Sequence, residues 1–243
     1  MEKPTLVLVP CLTGAPWQVE QLSALSDLPL VTLRLNTSHR GIEEHANDVL
    51  ELAQQYDKFI LVGDSFGAQI ALAAAARRPR RLAGLVMSGG FAANPIDDVV
   101  TKLKARAAGF APGPLYQNVV LPMHAALLAS RFDSLGDHGW SRRDTIRLFR
   151  ENTPWKTYVY RTQAAMGADY RFALPAISVP TLIVTPEDDT LIGPRAAGEM
   201  LRGISGARET VIEKSGHMFR FSHPRVYSTV IRSFIDAEKL SVA

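Results

Sequence analysis

Residues 59–77 read FILVGDSFGAQIALAAAAR, and no other stretch of the 243-residue chain narrows the fold as far. Four β-favouring apolar residues run through a glycine-flanked Asp-Ser-Phe into a helical segment that is apolar nearly all round. A strand with no polar alternation is buried on both faces, and a helix with no polar face is buried too. Together they predict one unit of a parallel sheet covered by helices. The same scheme recurs along the chain. Residues 5–9 (TLVLV), 31–35, 59–63, 82–88, 181–185 and 209–212 read as strands. Between them, Ile42, His45, Ala46, Val49, Ala53 and Tyr56 recur at helical spacing, and further helices are predicted over 66–77, 195–201 and 224–236. Strand–helix alternation of this kind implies right-handed crossovers.

Residues 91–175 break the pattern, because no buried strand is readable there. An excursion of this length between two core strands is better read as helical than as a structureless loop. The expected organisation is an α/β core of residues 1–90 and 176–243, with residues 91–175 inserted as a helical cap over one edge of the sheet. Phe110, Leu121, Met123, Leu127, Leu128, Trp140 and Trp155 are its candidate core or pocket residues.

A chain that is 47% hydrophobic and 21% charged can bury a full core. Its single cysteine, Cys11, excludes an internal disulfide scaffold and reads as a small buried thiol. Neither the N-terminal apolar run nor any other is long enough for a signal-peptide core or a membrane span, so a cytoplasmic location is expected. The net charge of +3 is small for this length, and no Lys/Arg tract or Cys/His spacing suggests nucleic-acid or zinc binding.

Gly63-Asp64-Ser65-Phe66-Gly67 has the form G-x-S-x-G between strand and helix. A turn this sharp strains its central residue and excludes side chains at both glycines, leaving the Ser65 hydroxyl exposed at the positive end of the next helix. A serine nucleophile needs a base, and the base an orienting carboxylate, which on such a sheet follow in the chain order Ser, acid, His. Downstream, the strand at 181–185 runs into Glu187, Asp188 and Asp189, and His217 follows the strand at 209–212. Asp64 reads as a polar residue of the turn rather than a nucleophile, since the glycines are centred on Ser65.

GDSFG at 63–67, VPTLIVTPEDDTL at 179–191 and SGHMFRFSHP at 215–224 resemble the α/β-hydrolase superfamily across essentially the whole chain. The resemblance implies a Ser65–His217–Asp189 triad, with Asp188 the alternative acid and Pro186 standing where relatives carry a glycine. It also implies an oxyanion hole made by the backbone N–H groups of Phe66 and Leu12, in a loop where Pro10-Cys11 replaces the usual His-Gly. The implied chemistry is ester hydrolysis through an acyl-enzyme, without metal or organic cofactor. Thioester hydrolysis, a carrier-protein-linked acyl ester, or a non-catalytic receptor on the same scaffold are the alternatives. His223 and His45 read as structural; His39, His124 and His138 fall in loop or cap segments, where any could touch substrate, although a structural role is the favoured reading. Within 91–175, 11 Lys/Arg stand against 7 Asp/Glu, and Arg143, Arg147 and Arg150 recur at helical spacing. That face is either simply solvated or a docking surface for an acidic acyl-carrier protein.

Overall fold

The computed structural model describes residues 3–96, 99–108 and 112–240. Six strands, β1 (Thr5–Val9), β2 (Leu30–Thr32), β3 (Phe59–Asp64), β4 (Leu82–Ser88), β5 (Thr181–Pro186) and β6 (Arg208–Ile212), form one parallel sheet in the order β2-β1-β3-β4-β5-β6. The helices are α1 (Ile42–Ala53), α2 (Phe66–Ala76), α3 (Val99–Ala108), α4 (Gly113–Leu115), α5 (Leu121–Leu128), α6 (Arg142–Asn152), α7 (Trp155–Gly167), α8 (Pro194–Gly203), α9 (Phe219–Ser222) and α10 (Pro224–Ala237). A π-helical turn, Tyr116–Val120, joins α4 to α5, and 3-10 turns lie at Val19–Leu25 and Arg171–Ala176.

Side chains alternate across the strands and sort the core into two layers. Leu6, Leu8, Ile60, Val62, Val86, Leu182 and Val184 pack beneath the 3-10 turn Val19–Leu25 and α10. Val7, Val9, Leu61, Leu85, Met87 and Ile183 pack beneath α1, α2 and α8. The expected α/β sheet covered by helices on both faces is the architecture found.

The β2 edge and two short turns depart from expectation. The second strand is three residues long and partly exposed rather than spanning 31–35, because it has a neighbour on one side only. Beyond it the chain peels away, and the Leu35 amide donates to Gly14 O at 3.1 Å. The 3-10 turn Val19–Leu25 was not legible, its inward residues Gln21, Leu22 and Leu25 being too few to set a period. The turn at α9 is likewise too short to register.

Between β4 and β5 the described residues form α3 to α7 and a single isolated bridge, Ala93 with Asp169. The Tyr170 amide donates to Ala92 O at 2.7 Å, so the excursion leaves and returns at one place. Phe110 lies outside the described residues. Strand order reverses between β1 and β3, and loops leaving a switch point diverge and open a crevice at the carboxyl ends of the strands.

Candidate active site

At the end of β3, Ser65 sits at φ 54° and ψ −116°, a left-handed conformation costing about 1–3 kcal/mol for a residue with a side chain. The packing on either side enforces it. A Cβ at Gly63 would stand 2.4 Å from Gly67 O, and one at Gly67 would stand 2.4 Å from the carbonyl oxygens of both Val9 and Pro10. The two glycines therefore let β1, β3 and α2 close on one another, while the Ser65 amide is anchored to Ser88 O at 2.8 Å.

The other sequence-predicted side chains arrive from β5 and β6. Ser65 Oγ lies 3.0 Å from His217 Nε2, and His217 Nδ1 lies 2.6 Å from Asp189 Oδ2. Asp189 Oδ1 accepts from the amides of Leu191 and Ile192, both at 2.9 Å, which aims the carboxylate. Both members of the His217–Asp189 pair are buried. Burial alone would lower the His217 pKa, but the Asp189 carboxylate and its hydrogen bond, with the charges of Asp64 and Asp133, outweigh it and raise it above the usual value. A hydroxyl hydrogen-bonded to an imidazole whose other nitrogen is held by a carboxylate is the arrangement that activates serine toward a carbonyl.

The three neighbouring acids have separate partners. Asp188 accepts from Ser130 Oγ at 2.6 Å, reaching the segment between β4 and β5, and Glu187 accepts from the Lys214 amide at 2.6 Å. Glu187 is exposed, Asp188 half-buried, and neither touches His217. Both brace the loop that carries it.

Asp64 is more than a polar turn residue. It forms a buried ion pair with Arg220, Nε donating to Oδ2 at 2.6 Å, while Arg220 Nη1 donates to Gln21 Oε1 at 2.7 Å. The guanidinium lies 4.5 Å from the Trp17 ring centroid and 4.1 Å from that of Phe221. Arg220 thereby ties the turn bearing Ser65 to the chain just past His217. A second buried arginine, Arg161 of α7, donates through Nη1 to Leu12 O at 3.0 Å and through Nη2 to Leu35 O at 2.9 Å. It braces the loop after β1 from which an oxyanion donor is expected. Sequence reading passed over both arginines; the three-residue spacing from His217 to Arg220 was the available signal, and Arg161 offered none.

Leu12 and Phe66, the expected oxyanion donors, border the same cavity as Ser65 and His217. Phe66 opens α2, where a backbone N–H has no intrahelical acceptor. The cavity holds about 640 Å³ and is walled mostly by apolar side chains, among them Phe91, Val120, Leu127, Phe149 and Met218. That volume is in the range of small-molecule sites. Cys11 is buried at its edge, its Sγ 3.3 Å from Thr13 Oγ1.

Among the other histidines, His45 is buried and held neutral, its pKa lowered to about 3 chiefly by burial and then by the Arg161 charge. His223 pairs with Ser222 Oγ at 2.8 Å. His124, expected in a loop or cap segment, is carried by α5 and lines the cavity. His39, His45 and Asp48 place potential ligand atoms within 4.8 Å of one another away from the cavity, where the Arg161 charge already opposes a positive charge on His45. The expected arginine face is partly neutralised: Arg147 pairs with Asp144 at 2.6 Å and Arg150 donates to Gln117 O at 3.3 Å. Among the described residues, no helix is long and apolar enough to cross a membrane.

The family model described as "Alpha/beta hydrolase family" matches residues 6–230. A pimeloyl-[acyl-carrier protein] methyl ester esterase of Neisseria meningitidis serogroup B is 29% identical over 177 residues, 72% of this chain and 68% of that protein. A proline iminopeptidase of Saccharolobus solfataricus is 27% identical, over 83% of this chain and 70% of that protein. Among solved structures, a hydrolase from Pseudomonas aeruginosa PA01 superposes with a TM-score of 0.80 at 18% identity, covering 96% of this chain and 90% of its own.

Proposed function

The chain belongs to the alpha/beta hydrolase family, and from that premise we propose that it is a serine hydrolase cleaving carboxylic esters of small or medium acyl chains through an acyl-enzyme. The observation that carries this reading is the continuous relay from Ser65 Oγ through His217 to Asp189, at 3.0 and 2.6 Å, opening onto an apolar cavity. His217 takes the Ser65 proton as the oxygen attacks the ester carbonyl, and Asp189 steadies the imidazolium that forms. The backbone N–H groups of Phe66 and Leu12 receive the developing oxyanion, whose charge is worth far more to a fixed donor in a dry site than in water. His217 then returns the proton to the departing alcohol and draws one from the water that releases the acid. Residues 91–175 act as a cap whose helices α5, α6 and α7 close the acyl cavity.

A second reading has its own support. The relatives named as esterases of an acyl-carrier-protein-linked methyl ester favour a carrier-bound substrate presented at the mouth of the cavity. The residual charge of the cap is consistent with that, although Arg147 and Arg150 are already engaged.

A fluorophosphonate probe tests the central claim. The wild-type protein is expected to label with one probe per chain, and Ser65→Ala to lose labelling entirely. A wild type that stays unlabelled, or a Ser65→Ala variant that still labels, overturns the proposal.

A further inference from the structure

One polar cluster stands in the apolar wall of the cavity, apart from Ser65, His217 and Asp189. It consists of His124 on α5 with Tyr158 and Thr162 on α7. Tyr158 Oη lies 2.9 Å from His124 Nδ1. The two rings are held by their neighbours: His124 packs 5.2 Å from the Phe149 centroid, and Tyr158 packs 4.9 Å from that of Tyr116. Thr162 lies one helical turn beyond Tyr158 on α7, its hydroxyl beside the phenol. His124 Nε2 has no hydrogen-bond partner among the described residues, and its ring borders the cavity. A polar group left unpaired in an apolar chamber costs free energy until it finds a partner. A fold that holds the His124 ring there, fixed by packing, leaves Nε2 to be completed by something that enters.

The proton arrangement follows from the partners. A buried phenol donates its one proton, and His124 Nδ1 stands 2.9 Å away to accept it, while the Thr162 hydroxyl can donate to the phenol oxygen. A neutral imidazole accepting at Nδ1 carries its hydrogen at Nε2, which makes Nε2–H a donor toward the cavity. The ring stays neutral because burial, and then the nearby His217, pull its pKa down to about 4, while burial pushes Tyr158 up to about 12.

We propose that His124, oriented by Tyr158, is a specificity determinant that donates a hydrogen bond to an acceptor oxygen, a ketone carbonyl or ether, carried partway along the chain that fills the cavity. The substrate class is then an ester of an oxygen-bearing aliphatic chain rather than of a plain alkyl chain. This rests on the ester-hydrolase reading given above.

The test compares chains of equal length. The p-nitrophenyl esters of octanoic acid and of 5-, 6- and 7-oxo-octanoic acid probe the acyl arm, and the acetates of octanol and the matching oxo-octanols probe the alcohol arm. For the wild type, kcat/KM for the best oxo chain is expected to exceed that of its plain counterpart roughly tenfold in one series. His124→Phe collapses that ratio toward one, whatever it does to the plain ester. His124→Gln, whose amide nitrogen can donate from nearly the same place, recovers part of it. A role confined to packing would slow both chains alike and leave the ratio alone. Ratios near one at every position in the wild type, or a ratio preserved in His124→Phe, overturn the proposal. Should His124→Phe not fold, Tyr158→Phe carries the test, and an unchanged ratio there overturns it equally. Turnover of no ester at all by the wild type would instead remove the ester reading and this inference with it.

Discussion

Asp188 and Asp189 are consecutive on one turn, and nothing in their immediate sequence separates them. The fold does: two backbone amides turn Asp189 onto His217, while Asp188 is spent on Ser130. On the proposed mechanism this sets a pH dependence. The folded protein holds the His217 pKa above the ordinary 6.5, against burial, through Asp189 first and then Asp64 and Asp133. A base works only when neutral, so kcat/KM is expected to rise with pH through one ionisation whose midpoint lies above that of a free histidine. Asp189→Asn removes the principal charge and is expected to shift the residual activity's midpoint down, with a large loss of rate, near 10⁴-fold in comparable triads. A profile that stays flat between pH 5 and 8 would contradict the role given to His217.

The element that matters most is the turn from β3 into α2, and its glycines were legible as a motif without their partners being so. G-x-S-x-G says that something approaches closely; only the packed sheet reveals that Gly67 meets the carbonyls of Val9 and Pro10, at the start of the loop bearing Leu12. Gly67→Ala therefore pushes β1 and α2 apart at the place where both proposed oxyanion donors originate. Displacements of about 1 Å near a reacting centre cost roughly a hundredfold. We expect kcat to fall by about that factor with KM little changed, and fluorophosphonate labelling to slow in parallel. A Gly67→Ala enzyme with wild-type kcat would show that the loop after β1 takes no part. Arg161 reinforces the same loop from α7, so the segment between β4 and β5 touches the core at the loop after β1 as well as through Ser130.

Across the whole molecule, histidines that fold in the neutral form make stability sensitive to acid. His45, with its pKa near 3, and His124, near 4, stay unprotonated in the folded state while the unfolded chain takes up protons below about 6.5. Their contribution is thus complete above that value and is lost as pH falls. From pH 7 to 5 the loss is about 2 kcal/mol for each. His217 shifts the other way: its contribution is complete below about 6.5 and is lost as pH rises through its folded value, so between pH 7 and about 6.5 it offsets a minor part of the loss. Denaturant unfolding at pH 7, 6 and 5 is expected to show the decline, and His45→Gln to reduce its slope by nearly half whatever the variant does to absolute stability. A slope unchanged in that variant would mean that His45 is protonated in the fold.

The amino-acid order alone determined what depends on local pattern. Near-continuous apolar runs announced a sheet buried on both faces, and glycines two on either side of Ser65 announced a tight strand-to-helix turn. The extent of β2 was misread because the chain leaves the sheet after Thr32 and bonds Gly14 through Leu35, a departure that hydrophobicity along the chain does not report. Tertiary structure decided everything that depends on partners distant in sequence: which of two adjacent acids faces His217, that Asp64 is neutralised by Arg220, that Arg161 caps the Leu12 carbonyl of the loop after β1, and that His124 stands in the cavity wall. Each of these is a buried polar group whose position is dictated by the hydrogen bond it must find, and that search runs through space rather than along the chain.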